Sequence, residues 1–167
     1  MSQFIGWGNG HDGSPASYNQ GYGICTGALG STTLAVTDVH AVWQIVADNV
    51  VLIHQTYGTG AGQWELNVAT DTFGTGNHTL KYPLSYTYGA GAQVVRVPQF
   101  TGGTLSANIT PAVSWNGSVG GIIALMSSGD FTISGSLTVS SGGFVGAVEP
   151  GVETAGEQGD GTGSGAG

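Results

Sequence analysis

The stretch IHQTYGTGAGQWEL, residues 53–66, holds the residues best spaced for chemistry. An apolar run, Val50 to Ile53, leads into glycines at 58, 60 and 62, and His54 and Glu65 flank the loop. A glycine loop after a strand cradles phosphate when it opens a helix whose N-terminus faces the anion. Here the spacing is G-x-G-x-G rather than the G-x-G-x-x-G of dinucleotide sites, and no Lys-Ser/Thr pair follows it. The next residues, QWELNV, alternate as a strand does. The reading is therefore strand, glycine turn, strand, with His54 and Glu65 as structural partners across a hairpin.

The other reactive residue types do not gather. His11, His40, His54 and His78 have no helical or H-x-H ligand spacing, so no metal site is expected. His11 adjoins Asp12, but neighbours on an extended chain point to opposite sides. Glu65, Asp71 and Asp130 are the carboxylates open to a polysaccharide-cleaving pair, and nothing in the sequence brings two of them together. Cys25 is alone, which excludes an internal disulfide and a cysteine-based zinc site. No serine stands in G-x-S-x-G. The tail segment GEQGDGTGSG lacks the paired, repeated glycines of calcium-binding repeats. The expectation is a protein without enzymatic activity, cofactor or metal.

Aromatics are the more telling set. Trp7, Trp43, Trp64 and Trp115 and six tyrosines sit in a chain with only 7% charged residues. Large aromatics dominate cores and interfaces. Tyr57, Trp64, Tyr82, Tyr86 and Tyr88 are the candidates for stacking on sugar rings or packing against another subunit.

The elements that would position these residues are short strands. TTLAV (32–36), NVVLIHQ (49–55), WELNVAT (64–70), HTLKYPL (78–84) and AQVVRVPQF (92–100) alternate between glycine clusters. Over 38–47, Val39, Val42, Trp43 and Val46 have helical spacing with Asp38 as a cap, which allows one or two helical turns. Residues 101–146 carry shorter runs, TLSANIT, VGGIIALMS, DFTISG and SLTVSS, separated by little more than glycine. Runs of that kind suit a sandwich edge or the rungs of a parallel β-helix. The expected fold is all-β: a β-sandwich or jelly-roll-like domain over 31–146, with a short parallel β-helix as the alternative. An extended Gly-rich arm over 1–30, with a short strand near Phe4–Trp7, precedes it, and a Gly/acid-rich tail over 147–167 follows.

Composition narrows the partners. Lys81 and Arg96 are the only Lys or Arg, and the formal charge is −8. Two cations cannot neutralise a row of phosphates, so nucleic acid and anionic membrane are not expected partners. No apolar window approaches the ~18 residues of a membrane span, and the N-terminus lacks the charged and apolar regions of a classical signal peptide.

Taken in order, IGWGNGHDG, VLIHQTYGTGAGQWELNVA, PLSYTYGAGAQVVRVPQF and WNGSVGGIIALMSSGDFTISGSLTVSSGGFVG resemble a family of Gly-rich bacterial surface proteins and phage tail-fibre or adhesin-like proteins. The resemblance spans most of residues 4–146. It implies a β-rich module preceding a glycine-rich region, and no catalytic residues. Two features depart from it: that family often runs far beyond GGF-x-G, and the residue after HQT, commonly basic there, is Tyr57 here. The function expected is a structural or adhesive component of an extracellular assembly, a phage tail or virion protein that self-associates through its arms. Its partners would be its own copies or neighbouring virion or surface proteins, on a virion or cell surface. The alternative is a carbohydrate-binding module or a fragment of a polysaccharide depolymerase, with surface polysaccharide as ligand.

Overall fold

The computed structural model describes residues 8–18, 20–40, 44–117, 119–140 and 143. Among them the chain is all-β, with no helix. The strands are β1 (Tyr22–Gly27), β2 (Thr33–His40), β3 (Val50–Gln55), β4 (Trp64–Val68), β5 (Gly76–Thr79), β6 (Tyr88–Val97), β7 (Gln99–Phe100), β8 (Gly103–Leu105), β9 (Met126–Ser127) and β10 (Phe131–Ile133). The tail over 147–167, the Phe4–Trp7 strand, Trp7 and Trp43 lie outside the described residues.

Six strands form one antiparallel sheet in the order β4-β3-β6-β1-β2-β5. The sheet curls until its two edges meet at a corner, where Ala69 bridges Leu80. Thr70 N–H donates to Thr79 O at 3.0 Å and Lys81 N–H to Val68 O at 2.9 Å, extending that seam. Two expectations change here. Residues 22–27, read as part of an extended arm, are β1, held between β6 and β2 near the middle of the sheet. The helical spacing over 38–47 does not produce a helix where it is described: residues 38–40 end β2, and 44–49 form a turn closed by Val46 N–H on Asn49 Oδ1 at 3.0 Å. Its β-branched Val and Ile residues favour extended backbone; residues 41–43 lie outside the described set.

Alternation along the strands sorts two faces. Cys25, Leu34, Val36, Val51, Ile53, Ala92 and Val94 fill the inside of the curl with Phe73, Leu80, Leu84 and Tyr88. On the outside Tyr22 and Val95 pack with Val119, Val113 and Ile122 from the irregular segment 112–122, which covers that face in place of a second sheet. Tyr18 fastens the approach to β1 onto the same segment: its hydroxyl accepts from Ala124 N–H (3.1 Å) and donates to Ala124 O (3.4 Å). Burial pushes that phenol up to about 12.

Beyond β6 the pairing becomes parallel. β7 lies beside β9, β8 beside β10, and Ile109 bridges Leu137, so residues 99–109 form one layer and 126–138 a second stacked on it. Side chains stack in the same register: Ser134 Oγ donates to Ser106 Oγ, 28 positions back, at 3.2 Å. Phe131 stacks on Phe100 at 5.6 Å. Glycine is required where the second layer bends closest to the first. A Cβ at Gly135 would run into the carbonyl oxygens of Ala107 and Ser106, the latter at 2.7 Å. Gly135→Ala is therefore expected to prise the layers apart at a cost of about 1–3 kcal/mol. Hydrogen exchange at the Ile109 and Thr138 amides, which bond between layers, reads this out; unchanged protection there would contradict it.

Candidate functional site

The glycine loop is a hairpin. β3 pairs antiparallel with β4, Ile53 opposite Glu65 and His54 opposite Trp64. Gly58, Gly60 and Gly62 all have positive φ, which lets the connection turn back within eight residues. No helix follows the glycines and no lysine stands near them, so the loop lacks what a phosphate site needs.

His54 and Glu65 do not pair across this hairpin. The register puts Glu65 opposite Ile53, so His54 and Glu65 point to opposite faces. Glu65 accepts from Ser85 N–H with both carboxylate oxygens, at 3.0 and 2.9 Å. His54 is buried on the other face, its Nδ1 3.0 Å from Thr56 Oγ1. That hydroxyl accepts from Gln93 Nε2 at 2.8 Å, so its own hydrogen is free to point at Nδ1. Burial accordingly lowers the histidine pKa from the ordinary 6.5. The unfolded chain then binds the proton more readily, so the stabilisation is complete above pH 6.5 and is lost progressively as pH falls below 6.5 and through the lowered folded-state value. His54→Gln should flatten this part of the denaturation midpoint against pH. Identical slopes in the two proteins would refute the assignment.

The five aromatic candidates divide rather than form one face. Tyr57 and Trp64 are exposed, at 41% and 57%, and Tyr57 meets Trp115 edge to face at 6.4 Å. Tyr82 is half-buried, its backbone N–H and C=O both held by Asn67, with the Lys81 ammonium 5.5 Å from its ring. Tyr86 is exposed and sits edge-on to Tyr88 at 6.3 Å. Tyr88 is no surface contact: its ring belongs to the core inside the curl. Its hydroxyl is buried beside the Glu65 carboxylate and meets no partner at normal hydrogen-bond geometry. Burial first, and that carboxylate second, raise its pKa well above the usual tyrosine value. Tyr88→Phe removes only an unsatisfied hydroxyl, so it should change stability by less than about 1 kcal/mol; a larger loss in the urea midpoint would mean the hydroxyl is bonded.

The remaining titratable residues are tied to turns. His78 stacks on Phe73 at 4.6 Å, approaches Asp71 Oδ1 through Nδ1 at 3.2 Å and accepts from Gly74 N–H through Nε2 at 3.0 Å. Glu65 and Asp71 thus hold different segments, Glu65 at Ser85 and Asp71 at His78 and Thr79. His11 does reach Asp12, at 3.9 Å, because the chain turns between Gly10 and Gly13 instead of running extended. The Cys25 thiol is buried in the core and its pKa is raised by burial. Among the described residues no three His, Cys, Asp or Glu side chains gather as metal ligands, and no helix is long and apolar enough to cross a membrane.

Sequence reasoning missed the buried glutamines, and three of the four among the described residues, Gln55, Gln93 and Gln99, tie segments together. Gln55 donates to the carbonyls of Tyr57 (2.7 Å) and Ala90 (2.8 Å) and accepts from Gly89 N–H (2.9 Å), closing one end of the curl. Gln93 binds both backbone groups of Gly120 in the covering segment. Gln99 accepts from Asn9 N–H at 3.1 Å and anchors the chain before β1. Their only sequence signal is a polar residue within an apolar strand. The local chemistry is structural hydrogen bonding plus two exposed aromatic positions on the hairpin. No protein-family model, curated protein or solved structure matches this chain.

Proposed function

We propose that the chain is a non-enzymatic structural component of an extracellular assembly, of the kind found in phage tails, virions or bacterial surfaces, and that it self-associates by strand addition. One observation carries the reading: among the described residues, the parallel stack is a layer short of burying its apolar row. Phe100, Leu105 and Ile109 of the first layer are buried, whereas Phe131 and Ile133 of the second are half-buried and Leu137 is 57% exposed. In this reading 99–138 begins a short parallel β-helix, the architecture we favour over a sandwich for this part of the chain. The described part of the N-terminal arm is bonded within its own chain, so self-association belongs to the second layer instead. Glu65 and Asp71, each engaged by a backbone N–H, support a role without catalysis. Native mass measured over a concentration series tests the proposal. A discrete oligomer is expected, and a monomer at the highest concentration would sink it.

A second reading, a carbohydrate-binding module, draws on the exposed Tyr57 and Trp64. It predicts that a neutral polysaccharide quenches tryptophan fluorescence and that Trp64→Ala abolishes the quench.

A further inference from the structure

We propose that the second layer is a homodimer interface, at which two copies of this chain meet end to end about a twofold axis. This rests on the assembly reading above and names its partner and geometry.

In a parallel ladder a strand turns alternate backbone groups to its neighbour and the rest to the far side. The N–H groups of Met126, Ser128, Ser134 and Thr138 donate to the first layer, and the carbonyls of Asp130 and Ser136 accept from it. Those of Phe131, Ile133 and Leu137 therefore face away, and no described strand pairs with them. Natural edges are guarded by lysine, proline, bulges or inward charges. Residues 126–139 contain neither lysine nor proline, and their one charge is Asp130. An edge so unguarded is built to be covered.

Several features select a second copy as the cover. Continuing the 28-residue register places Gly159, Gly161 and Gly165 over Phe131, Ile133 and Leu137. Glycines bring no side chain, so a further layer of this chain in that register would add no apolar side chain over the row. Exposed Leu137 and Val139 give the edge an apolar rim. With a single acid on it, two copies approach there without the repulsion that a net charge of −8 implies elsewhere.

The opposite edge of the stack is already taken. Asp12 N–H donates to Gln99 O at 2.8 Å, and Thr101 N–H donates to Gly13 O at 2.9 Å. Head-to-tail stacking of copies would need that edge. Only the isologous arrangement remains, open edge to open edge, and it closes at two copies.

Sedimentation equilibrium of the full chain tests this, with Leu137→Lys and Val139→Lys in the edge and Leu29→Lys, at an exposed position after β1, as control. Circular dichroism and thermal midpoint confirm that each variant is folded; both edge positions are exposed, so either can carry the test alone. The wild type should be a dimer, each edge variant should dissociate it by roughly 30-fold or more, and the control should leave it unchanged. Edge variants that dimerise like the wild type would overturn the interface while the assembly reading stands. Loss of the dimer in the control would move the interface to the connection between β1 and β2, and a trimer or filament would overturn the closed pair. A wild type monomeric throughout would remove both readings.

Discussion

Asp12→Ala is expected to destabilise the protein by about 2–3 kcal/mol, although it removes a negative charge from a chain of net charge −8. Relief of general repulsion would act the other way, so the sign of the change separates the two effects. Asp12 is bound through both oxygens, Oδ1 to the Arg96 guanidinium and Oδ2 to Gln99 N–H at 2.7 Å. Both side chains are mostly buried, at 18% and 11% exposure. Arg96 also donates to Asn49 Oδ1 at 2.9 Å, the same oxygen that accepts Val46 N–H. Cutting the carboxylate away leaves a guanidinium short of its counter-charge at the point where the curled sheet, the 44–49 turn and the first parallel layer join.

A buried pair loses more when one partner goes than when both do. Asp12→Asn with Arg96→Met should therefore be more stable than the sum of the single losses predicts. Urea midpoints read the stability, and exchange of the Thr101 amide, bonded to Gly13, shows whether the first layer loses its cover. A loss under about 0.5 kcal/mol for Asp12→Ala would mean the ion pair is merely a surface contact.

Local alternation made most strands legible before their partners were. NVVLIHQ and WELNVAT lie on β3 and β4 with boundaries within two residues. Their glycine loop turned out to be the hairpin its spacing implied. The failures have physical causes. β1, YGICTG, was hidden because glycine reads as a turn former. Gly27 is instead there because a Cβ would strike the Leu84 side chain. The seam between Ala69 and Leu80 and the pairing of 99–109 with 126–138 are non-local. No spacing rule within a strand reports which distant strand it joins.

The same limit explains the candidate site. His54 and Glu65 flank a hairpin and look paired in sequence, yet a period of two sends them to opposite faces. Tyr82, Tyr86 and Tyr88 share parity, so a single strand would send all three to one face. Tyr88 went inward and Tyr86 outward, because β6 begins only at Tyr88 and Tyr86 lies in the bend before it. The stacking of 126–138 on 99–109 needed the fold.

Gln93→Leu is the second change with a large expected effect, about 3–4 kcal/mol, because it strands polar groups rather than opening a hole. Leucine is close in size to glutamine, so volume is not the issue. Gln93 is fully buried on β6, and its amide bonds Thr56 Oγ1 at 2.8 Å, Gly120 O at 3.2 Å and Gly120 N–H at 2.9 Å. A leucine offers none of these. Both Gly120 groups would remain without compensation, each worth about 1–3 kcal/mol if left unpaired and not strictly additive, while the Thr56 hydroxyl would keep only its contact with His54 Nδ1. The chain has one way to recover them, which is to release the 112–122 segment to water. That would uncover Tyr22 and Val95, which this segment now buries. The variant should therefore show faster amide exchange at Val119 and Gly120 at urea concentrations far below the global midpoint. Gln93→Glu adds a second control. A carboxyl kept neutral in that site can still donate and accept, so this variant should regain stability as pH falls, whereas Gln93→Leu should not. Equal stability of Gln93→Leu and wild type would show that the covering segment is held by its apolar contacts alone.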